Sequence, residues 1–222
     1  MMTRLPVALL ALAVPAAASA AVLGTASDFT DGENAGWDGG RGQYQLEVVN
    51  SGGPAGDDDP FLQLITFVQM GAGSIPAMYN LDEAWTGDYR AAGVGGVSVD
   101  VQHADPNTPL SLRLVLFNGD GNRWTSRVAY TPPTDGSWNT AVFSTAEADL
   151  LNALGSSTYD ELIGNVTRVM LRHDEQPENG RGTAAMTGVG FDNITLVDAA
   201  AVPEPAGLAV LALAALPLRR RR

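Results

Sequence analysis

Few residues in this sequence can carry nucleophilic or acid–base chemistry. It has no cysteine and no lysine, so Ser, Thr, His, Asp and Glu are the groups left to attack a substrate or move a proton. The two histidines are His103, at a strand end, and His173, at the start of a loop. Neither stands in a Gly-x-Ser-x-Gly turn or a His-Glu-x-x-His helix, the settings that supply a nucleophile or a zinc site. No Glu-x-Asp-x-x-Glu run offers the paired carboxylates of glycoside hydrolysis. A Ser–His–Asp site does not need its members close in sequence, but nothing points to one. The expected catalytic set is therefore none, and the chemistry reads as binding.

A sugar platform needs an exposed Trp or Tyr face with polar side chains beside it. Of the four tryptophans, Trp138 opens a strand and reads as core, and Trp37 and Trp85 also read as packed. Trp124, flanked by Arg123 and Arg127 after a glycine-rich turn, is the candidate platform. Among the acids, Asp57-Asp58-Asp59 reads as a solvated loop and Asp120-Gly121-Asn122 as a hairpin turn.

The elements that would position these groups follow a period of two. Val97, Val99 and Val101 alternate with Ser98, Asp100 and Gln102. Leu110, Leu112, Leu114 and Leu116 alternate with Ser111, Arg113, Val115 and Phe117, and Tyr44, Leu46 and Val48 with Gln45 and Glu47. Phe61 to Phe67, Val166 to Arg172 and Phe191 to Val197 also read as strands. Gly, Asp, Pro and Asn clusters separate them. The pattern predicts an all-β fold, an antiparallel β-sandwich of jelly-roll type in one domain over residues 21–198. One or two short helices interrupt it. Ser144 and Glu147 form a capping-box pattern ahead of Leu150, Leu151 and Leu154, and a further turn is expected at Tyr159 to Ile163. Residues 21 to 201 carry eight arginines against twenty-four acidic residues, a field that disfavours nucleic acid and anionic lipid.

Both ends read as targeting segments. Residues 1–20 combine Arg4, an apolar run and Ala18-Ser19-Ala20, a secretory leader for signal peptidase to cleave after Ala20. At the far end, residues 199–222 carry Val202, Pro203, Glu204 and Pro205, a run from Ala206 to Leu218, then Arg219, Arg220, Arg221 and Arg222. Thirteen apolar residues at about 1.5 Å each fall short of a hydrocarbon core of about 30 Å. The tail resembles the PEP-CTERM sorting signal. That resemblance implies transient inner-membrane association, removal by an exosortase, and delivery to the cell surface or extracellular matrix of a Gram-negative bacterium. An ordinary short C-terminal anchor is the alternative.

Short runs in the domain resemble galactose-binding-like and laminin-B-like jelly rolls. They are Asp28-Phe29 with Gly36-Trp37, Trp85 with Gly87-Asp88-Tyr89, Gly136-Ser137-Trp138, and Gly190-Phe191-Asp192-Asn193-Ile194-Thr195-Leu196. The resemblance implies a carbohydrate-binding-module type of sandwich and an extracellular polysaccharide as partner. It also implies one structural calcium between the first and last strands, with Asp28, Asp31, Glu33 and Asp192 as ligands. A purely structural envelope protein and a secreted carbohydrate-active hydrolase are the rival readings.

Overall fold

The computed structural model describes residues 21–40, 42–67, 74–119 and 121–202. The leader at 1–20, Asp120 of the expected hairpin turn, and Pro203, Glu204, Pro205 and Arg219 to Arg222 of the tail lie outside the described residues. Among the described residues, twelve strands form two antiparallel six-stranded sheets. Sheet A comprises β1 (Ala26–Ser27), β3 (Gln43–Val49), β4 (Phe61–Phe67), β6 (Gly96–His103), β9 (Trp138–Ser144) and β12 (Gly188–Val197). Its order is β3-β4-β12-β6-β9, with β1 paired on β12. Sheet B comprises β2 (Asp38–Gly39), β5 (Ala77–Asn80), β7 (Leu112–Asn118), β8 (Asn122–Ser126), β10 (Leu150–Leu154) and β11 (Arg168–His173), in the order β10-β8-β7-β11-β5-β2. The chain is a β-sandwich, as the alternation predicts.

The alternating residues face where a pleated strand must send them. Val97, Val99, Val101, Leu112, Leu114, Leu116, Ile194 and Leu196 are all buried in the core between the sheets. Fully burying each such side chain contributes about 1.5–3 kcal/mol. Strand β7 departs from the pattern, because Val115 and Phe117 are buried on its other face as well.

The helix expected after Ser144 does not form. Ser144 Oγ accepts from the Ala146 amide, two residues on, so it makes a local turn and caps nothing. Glu147–Asp149 is a single 3-10 turn, and Leu150–Leu154 continues as β10 against β8. Tertiary context overrides local propensity here. The β8 edge needs a ladder partner for its backbone groups, and Leu150 reaches the core equally well from a strand. The capping box lies further on. Glu161 N donates to Thr158 Oγ1 at 3.3 Å and Thr158 N donates to Glu161 Oε2 at 2.8 Å, opening α2 (Tyr159–Ile163). A second one-turn helix, α1 (Tyr89–Ala92), starts on the Asp88 carboxylate and stops at Gly93 with φ 73°.

Candidate functional site

A groove of about 890 Å³ runs over the outer face of sheet B. Strand register explains its lining. Arg168, Phe117 and Arg123 stand in one cross-strand row on β11, β7 and β8. The next row holds Tyr79, Met170 and Val115, and the one after it Ala77, Arg172 and Arg113. Ala77, Val115, Phe117 and Met170 form a buried apolar cluster of their own, with Ile75 and Tyr79 packed against it. This second cluster is the floor of the groove, separated from the main core by the sheet.

Arginines stand on that floor. The Arg168 guanidinium lies 5.0 Å from the Tyr79 ring centre and 4.8 Å from that of Phe117. Arg123 sits 5.3 Å from the same Phe117 ring. A cation held against an aromatic face is stabilised by the ring quadrupole, by about 0.5–2 kcal/mol depending on desolvation. Arg172 is buried and forms a 2.5 Å ion pair with Asp174, itself fully buried. Arg172 and Arg123 both donate to the Gly180 carbonyl, at 3.1 and 2.7 Å. Burial, and then the charge of Arg168, lower the pKa of Arg123. The Nε groups of Arg123, Arg168 and Arg172 are buried with no hydrogen-bond partner among the described residues. At the rim, the Tyr44 and Tyr79 hydroxyls donate to the Asp38 carboxylate at 3.0 and 3.2 Å.

The structure does not bring the expected Trp124 platform together. Successive strand residues face opposite ways, so Arg123 enters the groove while Trp124 turns inward beside Leu116. Trp124 is half-buried against the core, edge-on to Tyr159 at 6.1 Å, and its Nε1 donates to Ser157 Oγ. Arg127 lies beyond the strand end, where its Nε donates to the Ala148 carbonyl. Trp37 and Trp85 are buried and pack edge-on at 5.2 Å. Trp138 is not in the core. It lies half-buried over Gly190 on the outer face of sheet A, edge-on to Phe61.

Both histidines are buried structural groups. His173 Nδ1 accepts from the Ser111 amide at 2.9 Å, and His103 Nε2 lies 3.2 Å from Thr187 Oγ1. Burial pushes both imidazoles towards the neutral form.

The first and last strands do meet, through Ala26↔Thr195 and Ser27↔Ile194. Asp192 is buried, and its carboxyl is pushed up to about 7 by burial and by the charges of Asp59, Asp100 and Asp28. The Asn193 amide is its backbone donor, at 2.7 Å. Of the four expected calcium ligands, Asp192 is the buried one, and Asp28 is among the carboxylates whose charge raises its pKa. Asp28, Asp31 and Glu33 are all exposed, and Asp28 Oδ1 accepts from Thr30 and Asp31 Oδ1 from the Glu33 amide, each within its own turn. No three carboxylates or imidazoles converge on a metal position among the described residues.

Sequence reasoning missed Tyr79, Phe117, Arg168, Arg172 and Arg181 as groove residues. The signal available was Arg168-Val169-Met170-Leu171-Arg172, where Val169 and Leu171 face the core and the residues between them must face out.

No protein-family model and no curated protein matches this sequence. Among solved structures, the fold is similar to the solution structure of CtCBM11, with a TM-score of 0.52, 16% identity, and 80% of this chain and 96% of that chain covered. It is equally similar to an exo-β-agarase, at TM-score 0.52 and 12% identity, with 76% of this chain covered. This chain spans only 24% of the agarase. A family 11 carbohydrate-binding module from Clostridium thermocellum, in complex with a β-1,3-1,4-mixed-linked tetrasaccharide, gives a TM-score of 0.48 at 16% identity, covering 81% and 98% of the two chains. At such identities the likeness is one of fold.

Proposed function

We propose that this domain is a non-catalytic module that holds an exported protein on extracellular polysaccharide, with the outer face of sheet B as the contact. The groove carries the reading. It joins an apolar floor, suited to sugar C–H faces, to planar N–H forks and the Asn179 amide, suited to hydroxyls. The likeness in fold to CtCBM11, a carbohydrate-binding module, supports it. The test is affinity electrophoresis of the purified protein through gels containing mixed-linked glucan, xylan, agarose or polygalacturonate. Retardation in at least one gel, reduced by Tyr79→Ala, is the expected result. Free migration in all of them would leave a structural envelope protein.

Export belongs to the same proposal. The leader and the Val202-Pro203-Glu204-Pro205 tail support secretion, exosortase processing and release at the surface of a Gram-negative cell. Intact mass of surface-released protein should show a start at Ala21 and loss of Arg219 to Arg222, and recovery of the full-length chain would refute it. A structural calcium held by Asp192 and Asp28, with backbone oxygens completing the shell, is the remaining part.

A further inference from the structure

We infer that the ligand of this groove is an anionic polysaccharide, whose carboxylate or sulfate groups are read by Arg123, Arg168 and Arg181. The inference rests on the groove being a glycan site, and it names the class of glycan.

Charge bias is the first support. Acidic residues outnumber arginines three to one between residues 21 and 201. Yet Arg123, Arg168, Arg172 and Arg181 line the groove, and no carboxylate is among its described lining residues. Two carboxylates close to this face are already engaged, Asp174 with Arg172 and Asp38 with two tyrosine hydroxyls, while Glu178, beside Asn179, is exposed. Among the described residues, Arg123, Arg168 and Arg181 take part in no ion pair. Such a face repels cations and attracts oxyanions, in a molecule whose remaining surface repels them.

Geometry is the second. Arg123 and Arg168 flank a single Phe117 ring, at 5.3 and 4.8 Å. Two like charges held this close raise the energy of the empty groove, and an oxyanion between them removes that cost. Among the described residues the Arg168 guanidinium makes no hydrogen bond and that of Arg123 makes one, to the Gly180 carbonyl, so the terminal N–H groups of each fork still have hydrogen bonds to make. A guanidinium pairs with carboxylate or sulfate through two parallel N–H bonds, and its contacts with the ring faces hold the fork in place for it.

The third support is what stands on the floor. Arg168 lies over both Tyr79 and Phe117, so an incoming sugar meets guanidinium and ring together, and only an anionic sugar engages both.

Matched polymers test this. The purified protein is titrated with polygalacturonate against its methyl ester, and with dextran sulfate against dextran. Tighter binding to the charged member, by roughly tenfold or more, is expected in at least one pair, and the pair that responds distinguishes carboxylate from sulfate. Arg168→Gln and the exposed Arg181→Ala should each weaken that binding several-fold, with melting temperature recorded to show that both variants fold. Arg168→Lys should recover only part, since ammonium lacks the planar fork. Equal affinity for charged and neutral members would overturn the inference and leave the polysaccharide reading standing. Charge-selective binding that both arginine variants retain would also overturn it, by moving the site elsewhere. Binding to none of these polymers, nor to any polysaccharide in the gels, would overturn both.

Discussion

The groove on sheet B and the Asp192 neighbourhood on sheet A handle charge in opposite ways. In the groove, arginines crowd together and aromatic faces, not carboxylates, keep them in place. Around Asp192, burial and the charges of Asp59, Asp100 and Asp28 shift the buried carboxyl towards its protonated form, and no arginine pairs with it among the described residues. Either set could have neutralised the other, but the strand order places them on different sheets. Among the described residues, Arg172 and Asp174 combine the two solutions, as a buried pair beneath the outer face of sheet B. The difference separates charge used to hold the fold from charge left for something outside it.

Removing one partner of the buried pair should have the largest effect. Arg172→Ala strands the fully buried Asp174 carboxylate and should cost about 3–5 kcal/mol, read as a fall in unfolding midpoint. A loss below about 1 kcal/mol would move Arg172 into the same class as Arg168.

Asp192 gives the next effect, through pH. Its folded-state pKa of about 7 lies above the ordinary 3.8, so between these values the folded chain holds a proton that the unfolded chain has released. The Asp192 contribution to stability therefore falls as pH rises from 4 towards 7, by at most about 4 kcal/mol, and is constant outside that window, while the buried His103 and His173, with lowered pKa values, act in the opposite sense below pH 6.5. Thermal melts in chelator should show this slope, and Asp192→Asn should flatten it. If the crowding is relieved by calcium, millimolar calcium should raise the wild-type midpoint at pH 8 and leave that of Asp192→Asn unmoved. A difference between wild type and Asp192→Asn that does not change with pH would mean that Asp192 is better solvated than its burial implies.

The smallest effect belongs to Arg90 and Asp160, paired at 2.5 Å with side chains 56% and 82% exposed. Arg90→Ala should cost less than about 1 kcal/mol and nothing measurable at high salt. A larger, salt-resistant loss would blur the line between the two uses of charge.

The sandwich was legible in the sequence because each strand announces its buried face locally. Val97, Val99 and Val101 need no distant information to be read as one face of a strand. The short helix was misplaced for the same reason in reverse: Ser144 and Glu147 match a cap, but the partner that makes Leu150–Leu154 a strand lies on β8, more than twenty residues away. The groove was the least legible feature. Tyr79, Phe117, Arg123 and Arg168 come from four strands, so no window of sequence contains the site. Trp124 drew attention because it adjoins Arg123, and that adjacency is what sends the two side chains to opposite faces.

The last strand, β12, occupies the middle of sheet A, between β4 and β6, with β1 laid across its end. A chain synthesised from its N-terminus therefore has no complete sheet A until residues 188–197 exist. Before that, β3 pairs with β4 and β6 with β9, as two separate ribbons with open edges. Their union waits on contacts that span most of the sequence, which are slow to close. The finished sandwich is thus completed only by the last strand of the chain, which closes sheet A from its middle.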